Sequence, residues 1–283
     1  MNILYCGDRH IEDGLIISVL SLTEQVGEPL NVYVMTVELV NEQFSLEPVS
    51  NGVISYLDKT VVERTGGSVK KFDVTDIFSR ELPTANMGTR FTPCCMLRLF
   101  ADEVPEIPDR VLYLDNDVVA RMDISDFYYQ DIDAYELAGV LDYYGRWFFH
   151  KNIFKMDYLN SGVLLLNMKK IRESGLFRRC REMCVNEKMF MPDQSAINKL
   201  ANKKIIRDRR CNEQRKLHKN TVMQHFTTSF RFFPWFHSLT VKPWQIERVH
   251  EILKIFEYDN LFAQYRSALE IISKENNECE TNA

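Results

Sequence analysis

The sequence predicts an α/β sandwich on a mostly parallel, mixed central sheet. Three observations carry this. Short runs of apolar and β-branched residues alternate with stretches of helical periodicity. The first three elements make a strand–helix–strand unit, which implies a parallel pair with a right-handed crossover. Arg110–Leu114 (RVLYL) is almost continuously apolar, as expected of a strand covered on both faces.

In chain order, Asn2–Cys6 is the first strand and stops at Gly7-Asp8. Leu15–Leu22 is apolar at helical spacing and ends near Gly27-Glu28-Pro29. Asn31–Val37 is rich in β-branched and aromatic residues and forms the second strand. Phe44–Leu57 is a helical candidate interrupted by Pro48 and Gly52, and Ser68–Phe72 is a third strand. Residues 88–101, with Arg90 and Arg98, predict a helix starting near Thr92-Pro93. Leu137–Leu141, Val163–Asn167 and Val222–Phe226 are further strands, some antiparallel, and Lys169–Cys184, Asp193–Ala201 and Trp244–Glu257 are further helices. No repeat, low-complexity tract or linker is visible. Residues 1–257 are expected to form one domain, followed by a helical tail over 258–283 with a polar, frayed end.

The composition is that of a soluble globular chain: 283 residues, 45% apolar and 27% charged. The balance of 35 basic against 40 acidic residues argues against a nucleic-acid partner. No apolar run approaches a membrane span, and the N-terminal MNILYCGD lacks the regions of a signal peptide. The seven cysteines include no CxxC pair, which fits reduced thiols and a cytoplasmic location. Lys199–Lys219 carries nine Lys/Arg against two acids. It is either a solvated loop or a face for an anionic acceptor or a membrane surface. From Trp244 onward eight acids face four bases, unlike a basic membrane-anchoring helix, so any membrane contact is peripheral.

Chemistry concentrates in Tyr113-Leu114-Asp115-Asn116-Asp117-Val118-Val119. If the strand stays extended, Asp115 and Asp117 point the same way. Two like charges at the end of a buried strand repel unless a cation joins them. Ligands of open α/β sheets also lie beyond strand carboxyl ends. A hard divalent ion, Mg²⁺ or Mn²⁺, suits such oxygen ligands, while a solvated acidic turn is the bland alternative. Two chemistries use this pattern: a metal–diphosphate clamp for a nucleotide sugar, and the Asp-nucleophile loop of haloacid dehalogenase-like phosphatases. The phosphatase loop usually follows the first strand, whereas about 110 residues precede Asp115 here.

Five segments in order resemble glycosyltransferase family 8, the retaining enzymes that include bacterial lipooligosaccharide galactosyltransferases and glycogenin. They are Tyr5-Cys6-Gly7-Asp8, Val111–Val119, Leu159–Asn167 (LNSGVLLLN), Pro192–Asn198 (PDQSAIN), and His225-Phe226 with Lys242-Pro243-Trp244. The resemblance implies a GT-A type nucleotide-binding sandwich that moves a hexose from UDP-glucose or UDP-galactose to a saccharide or glycolipid. It implies Mn²⁺ (or Mg²⁺) on Asp115, Asp117 and His225. It further implies donor contacts from Asp8 (uracil), Arg98, Asp142, Asn160 and Lys242 (diphosphate). Asp193 would bind a sugar hydroxyl, and Gln194 would lie beside the anomeric carbon. Four of these have a plainer alternative: a turn cap for Asp8, a surface ion pair for Arg98, an N-cap for Asp193 and a structural histidine for His225. No carboxylate stands out as a double-displacement nucleophile, so same-face transfer is expected, with the departing phosphate taking the acceptor proton. A non-catalytic nucleotide-sugar-binding module is a further alternative.

Two departures from the family pattern are visible. Ile11 stands where a uracil-stacking Tyr is common. The closing motif lacks its Gly, and 17 positions separate His225 from Lys242. The inserted Phe230, Arg231, Phe232, Phe233, Trp235, Phe236 and His237 would serve as a sugar-stacking platform, a satellite cluster or a lid.

Overall fold

The computed structural model describes residues 1–40, 45–87, 93–145, 157–231 and 237–281. The strands are β1 (Asn2–Cys6), β2 (Asn31–Thr36), β3 (Ser68–Asp73), β4 (Arg110–Leu114), β5 (Val118–Ala120), β6 (Leu137–Leu141), β7 (Leu159–Asn167), β8 (Lys204–Arg207) and β9 (Met223–His225). Among the described residues, seven of them form the central sheet in the order β8-β6-β7-β4-β1-β2-β3. The pairs β1/β2, β2/β3, β1/β4 and β6/β8 are parallel. β7 runs against both of its neighbours, β4 and β6, and so reverses direction in an otherwise parallel sheet.

Side-chain alternation sorts the central strands into two apolar layers. Ile3 and Tyr5 of β1 and Leu112 and Leu114 of β4 enter one core, while Leu4, Val111 and Tyr113 enter the other. β7 is buried along almost its whole length, as its apolar run requires in the middle of a sheet. The first layer is covered by α1 (Glu12–Gln25) and α2 (Asn51–Thr65). The C-terminal helix α6 (Asp259–Thr281) packs over them, burying Phe262, Tyr265 and Ala268 and donating from Tyr265 to Asp13 Oδ1 at 2.7 Å. Helix α1 is therefore buried nearly all round, which accounts for its weak amphipathicity. The second layer holds a 3-10 helix, Pro93–Glu103, with α3 (Met168–Ser174), α4 (Leu176–Asn186) and α5 (Pro192–Leu200).

Several elements differ from the sequence expectation. The helix predicted over Phe44–Leu57 begins at Asn51, where Ser50 Oγ accepts from Val53 N at 3.4 Å, and continues to Thr65. Pro48 precedes it, and Ser45–Leu46 pairs with Leu39–Val40 as a short ribbon; Phe44 lies outside the described residues. The helix expected over Lys169–Cys184 is two helices, because Gly175 takes a left-handed conformation (φ 63°) that few other residues tolerate. The helix predicted over Trp244–Glu257 shrinks to Ile246–Arg248 and a π turn at Val249–Leu253. The strand predicted over Val222–Phe226 leaves the main sheet and pairs antiparallel with β5. The N-terminal part of the helix predicted over 88–101, with Arg90, lies outside the described residues.

The second layer is pinned by a buried arginine. Arg181 on α4 donates to Leu99 O and Asp102 Oδ1 at 2.5 Å each, and to Glu81 and Glu103 at 2.6 Å each. Removing it would strand Asp102, whose side chain is 10% exposed, without its counter-charge. Breaking such a pair is far costlier than the pair is stabilising. Arg181→Met is expected to lower unfolding stability by about 3 kcal/mol, measured by urea denaturation. A change within experimental error would contradict this role.

Candidate metal and donor site

The site lies beyond the carboxyl end of β4. The chain leaves Leu114, turns through Asp115-Asn116-Asp117 and enters β5. The turn is closed by Val118 N donating to Asp115 O at 3.2 Å. The two carboxylates thus converge through a turn, and not through the strand alternation expected from the sequence. β5 pairs with β9 so that His225 lies opposite Val118, and Phe226 N donates to Asp117 O at 3.0 Å. One ligand atom from each of Asp115, Asp117 and His225 lies within 4.8 Å of the others. His225 Nε2 is 3.0 Å from Asp117 Oδ1 and 3.6 Å from Asp115 Oδ2.

The space between these groups exists because residue 162 is glycine. A Cβ there would lie 2.2 Å from His225 Cε1 and 2.6 Å from Asp115 Oδ2. Gly162 O also accepts from Asp115 N at 2.8 Å, tying the acidic turn to β7. Two carboxylate oxygens and one imidazole nitrogen suit Mn²⁺ or Mg²⁺ chemically. His225 Nδ1 is 3.2 Å from Asn212 Oδ1. With a metal bound, Nδ1 protonated against Asn212 Oδ1 would leave Nε2 as the ligand atom.

Each aspartate has its own cation. Arg98, buried on the Pro93–Glu103 helix, donates to Asp115 Oδ1 at 2.9 Å and Ser161 O at 2.6 Å. Its Nε is 3.4 Å from Asp193 Oδ2, and its guanidinium carbon lies 4.0 Å from the Tyr113 ring centroid. Burial alone would lower the Arg98 pKa, but Tyr113, Asp115 and Asp193 raise it. Lys242 forms an ion pair with Asp117 and donates to Phe226 O at 3.3 Å. Burial would push the Asp117 carboxyl up; Lys242 and His225 overcome this and hold it well below the usual carboxylate range. The lengthened closure does bring Lys242 back. Ser229–Arg231 and His237–Leu239 pair as an antiparallel ribbon, with Thr228 and Thr240 hydroxyls 2.8 Å apart at its base. Residues 232–236, and the side chains of Phe230, Arg231 and His237, lie outside the described residues, as do the platform and lid expected of them.

Asp142, Asn160 and Gln194 form one buried polar network. Asp142 Oδ2 accepts from Asn160 at 3.0 Å and Gln194 at 3.2 Å. Gln194 Oε1 accepts from Ser161 N at 2.9 Å. Asn160 Oδ1 accepts from Gly162 N at 3.0 Å and from Asn212 Nδ2 at 2.9 Å, which joins this network to His225. Asp193, beside Gln194 in the first turn of α5, is not the N-cap; Met191 is. Its Oδ2 is buried without a hydrogen bond, and burial raises its pKa against the pull of Arg98. Asp8 is buried at the end of β1, 2.8 Å from His10 Nδ1, and does not cap the following turn. Its contacts do not join it to the Asp115–Asp117–His225 group. The half-buried Ile11 packs on the core below.

Sequence reasoning missed Tyr113 and Asn212. Tyr113 OH donates to Asp115 Oδ1 at 2.7 Å, which strand alternation between positions 113 and 115 could have indicated. Asn212 is fully buried just after a run of exposed arginines, and only its partners reveal its use. Groups that orient a metal-binding histidine typically change metal affinity roughly 10–100-fold when removed. Asn212→Ala is therefore expected to weaken Mn²⁺ binding at least about tenfold with an unchanged circular dichroism spectrum, read by titration of the Mn²⁺ electron paramagnetic resonance signal. Unchanged affinity would remove Asn212 from the site.

Known proteins agree with this architecture. The sequence profile of glycosyl transferase family 8 matches residues 2–247. A probable glycosyl transferase, Gly of Streptococcus gordonii, is 36% identical over 117 residues, covering 40% of this chain but only 16% of that protein. An active-site mutant of LgtC superposes over 95% of this chain and 96% of its own, with a TM-score of 0.69 and 16% identity. Galactosyltransferase LgtC in complex with donor and acceptor sugar analogs superposes over 94% of this chain and 96% of its own, with a TM-score of 0.65 and 16% identity. The likeness to LgtC establishes a GT-A type fold. With the profile spanning nearly the whole chain, this protein belongs to glycosyltransferase family 8.

Proposed function

We propose that the protein transfers a hexose from UDP-glucose or UDP-galactose to a saccharide or glycolipid acceptor, with retention at the anomeric carbon. The observation that carries this is the convergence of Asp115, Asp117 and His225 around Gly162 at the carboxyl end of β4. LgtC, of the same fold, has been crystallised with donor and acceptor sugar analogs, which supports a sugar donor and a sugar acceptor here. Asp115, Asp117 and His225 would hold Mn²⁺ or Mg²⁺, which supplies positive charge against the donor diphosphate.

The protein's own groups divide the remaining work. Lys242, ion-paired with Asp117, is the cation for the diphosphate. Arg98 is spent on Asp115, Ser161 and Asp193, so it acts by fixing the acidic turn and not by gripping the donor itself. Asp193 Oδ2, which faces Arg98 Nε at 3.4 Å but accepts no hydrogen bond, is an acceptor for a sugar hydroxyl. Gln194 is held at both ends of its amide, by Ser161 and Asp142, which fixes its dipole beside the sugar. Asp8 remains the uracil contact, with Ile11 covering the base. The anomeric C–O bond to the diphosphate breaks as the acceptor oxygen bonds to the same face, and the acceptor proton passes to the departing phosphate oxygen. The phosphatase alternative loses its support, because Asp115 is tied down by Arg98 and Tyr113 and the motif follows the fourth strand of the central sheet in chain order, not the first.

A screen of UDP-sugars for slow Mn²⁺-dependent hydrolysis tests the proposal. UDP-glucose or UDP-galactose should be turned over. Asp115→Ala and Asp117→Ala should each lower the rate roughly a hundredfold or more, on the scale of a lost metal contribution, with the fold intact by circular dichroism. Wild-type rates in either variant would refute the metal clamp.

A further inference from the structure

A cleft beside the site carries charge that the donor does not use. It has a volume of about 570 Å³, and its walls include Tyr144, Arg215, Lys216, Ser229 and the segment 252–257. Among the described residues, the ammonium groups of Lys216 and Lys254 have no ion-pair or hydrogen-bond partner, and both side chains are exposed. Arg215 lies over the Tyr143 ring, 4.5 Å from its centroid, and its guanidinium donates to the Tyr143 hydroxyl with no carboxylate partner among the described residues. The acid on the rim, Glu257, is already ion-paired with Arg121. Elsewhere in the basic run 199–219, Lys199 pairs with Glu187, Lys204 with Asp157, Arg209 with Glu213 and Arg210 with Asp126, while Lys203, Arg207 and Lys219 stand apart from the cleft without a carboxylate partner among the described residues. Arg215, Lys216 and Lys254 thus bring three cations without a carboxylate partner among the described residues to one concave surface.

The cleft is built into the site. Tyr144 N donates to Asp142 Oδ1 at 3.0 Å, while Asp142 Oδ2 accepts from Gln194. Tyr143 N donates to Gln214 Oε1 at 2.8 Å, and Gln214 is two residues from Asn212, the partner of His225. Lys254 takes a left-handed backbone conformation (φ 56°) at the end of the Val249–Leu253 turn, where glycine is the usual choice. Half-buried Leu217, Leu253 and Ile255 provide an apolar wall between the cations.

We propose that this cleft receives the acceptor by an anionic group, a phosphate or carboxylate carried on the saccharide, with Lys216, Lys254 and Arg215 as counter-charges. The proposal rests on the transfer reading of the neighbouring site. A concave wall of cations suits a discrete anion on a sugar better than a flat membrane surface, and the chain from Trp244 onward is net acidic.

The test titrates the full chain, with the donor site filled by UDP and Mn²⁺, against glucose, glucose 6-phosphate and glucuronate by isothermal calorimetry, with phosphatidylglycerol vesicles as a separate arm. At least one of the two acids should bind tenfold or more tightly than glucose. Lys216→Glu and, independently, Lys254→Gly, which suits the left-handed backbone, should each remove most of that preference. A preference for the phosphate alone, or for the carboxylate alone, identifies which anion the acceptor carries. Failure of UDP to bind would count against the donor reading only; the titration without UDP then reads the cleft by the same criteria. Equal affinity for all three sugars, failure of both acids to bind, a preference that survives both substitutions, or binding to vesicles alone would overturn the proposal.

Discussion

Two carboxylates at the end of a buried strand cannot share that place without positive charge, and much of the site answers this constraint. Asp117 is almost fully enclosed, so its negative charge is sustained only by the groups packed against it. Lys242 and His225 meet Asp117, while Arg98 and the Tyr113 hydroxyl meet Asp115. Four carboxylates (Asp115, Asp117, Asp193 and, in the adjoining network, Asp142) stand against two permanent cations (Arg98 and Lys242), leaving two negative charges with His225 neutral. Addition of a divalent ion would cancel that charge and remove the repulsion a diphosphate would otherwise meet.

The fold supplies these groups from separate parts of the chain. β4 delivers the acidic turn, and reversed β7 brings Asn160, Ser161 and Gly162 alongside it. β9 pairs with β5, outside the main sheet, and sets His225 over the same point. The amides of Asn160, Asn212 and Gln194 link the histidine to Asp142. Because each of these side chains is hydrogen-bonded to another, the site is held in advance of any ligand, the condition under which fixed dipoles act at low reorganisation cost. Asp193 is the exception: its buried Oδ2 faces Arg98 at 3.4 Å but accepts no hydrogen bond among the described residues.

Much of this was legible in the sequence, for identifiable reasons. β1, β2 and β4 announce themselves because a covered parallel strand must be apolar on both faces. Asp115 and Asp117 are conspicuous because charge directly after such a run has no packing explanation. Element ends were harder. The break at Gly175 depends on one backbone angle, and the start of α2 on a serine cap; neither alters hydrophobic periodicity. The return of Lys242 across the insertion was also illegible, since an antiparallel ribbon and a wandering loop share the same composition. Asn212 was missed because a buried asparagine in a charged stretch resembles any loop residue until its partners are known.

The central claim is that Asp115, Asp117 and His225 together seat a divalent ion against a nucleotide diphosphate. Anomalous diffraction from crystals soaked in Mn²⁺ and UDP addresses it most directly. The claim predicts a single strong manganese peak among these three side chains, with diphosphate oxygens completing its coordination. Bound UDP with no manganese at that point, or manganese held elsewhere on the protein, would contradict it.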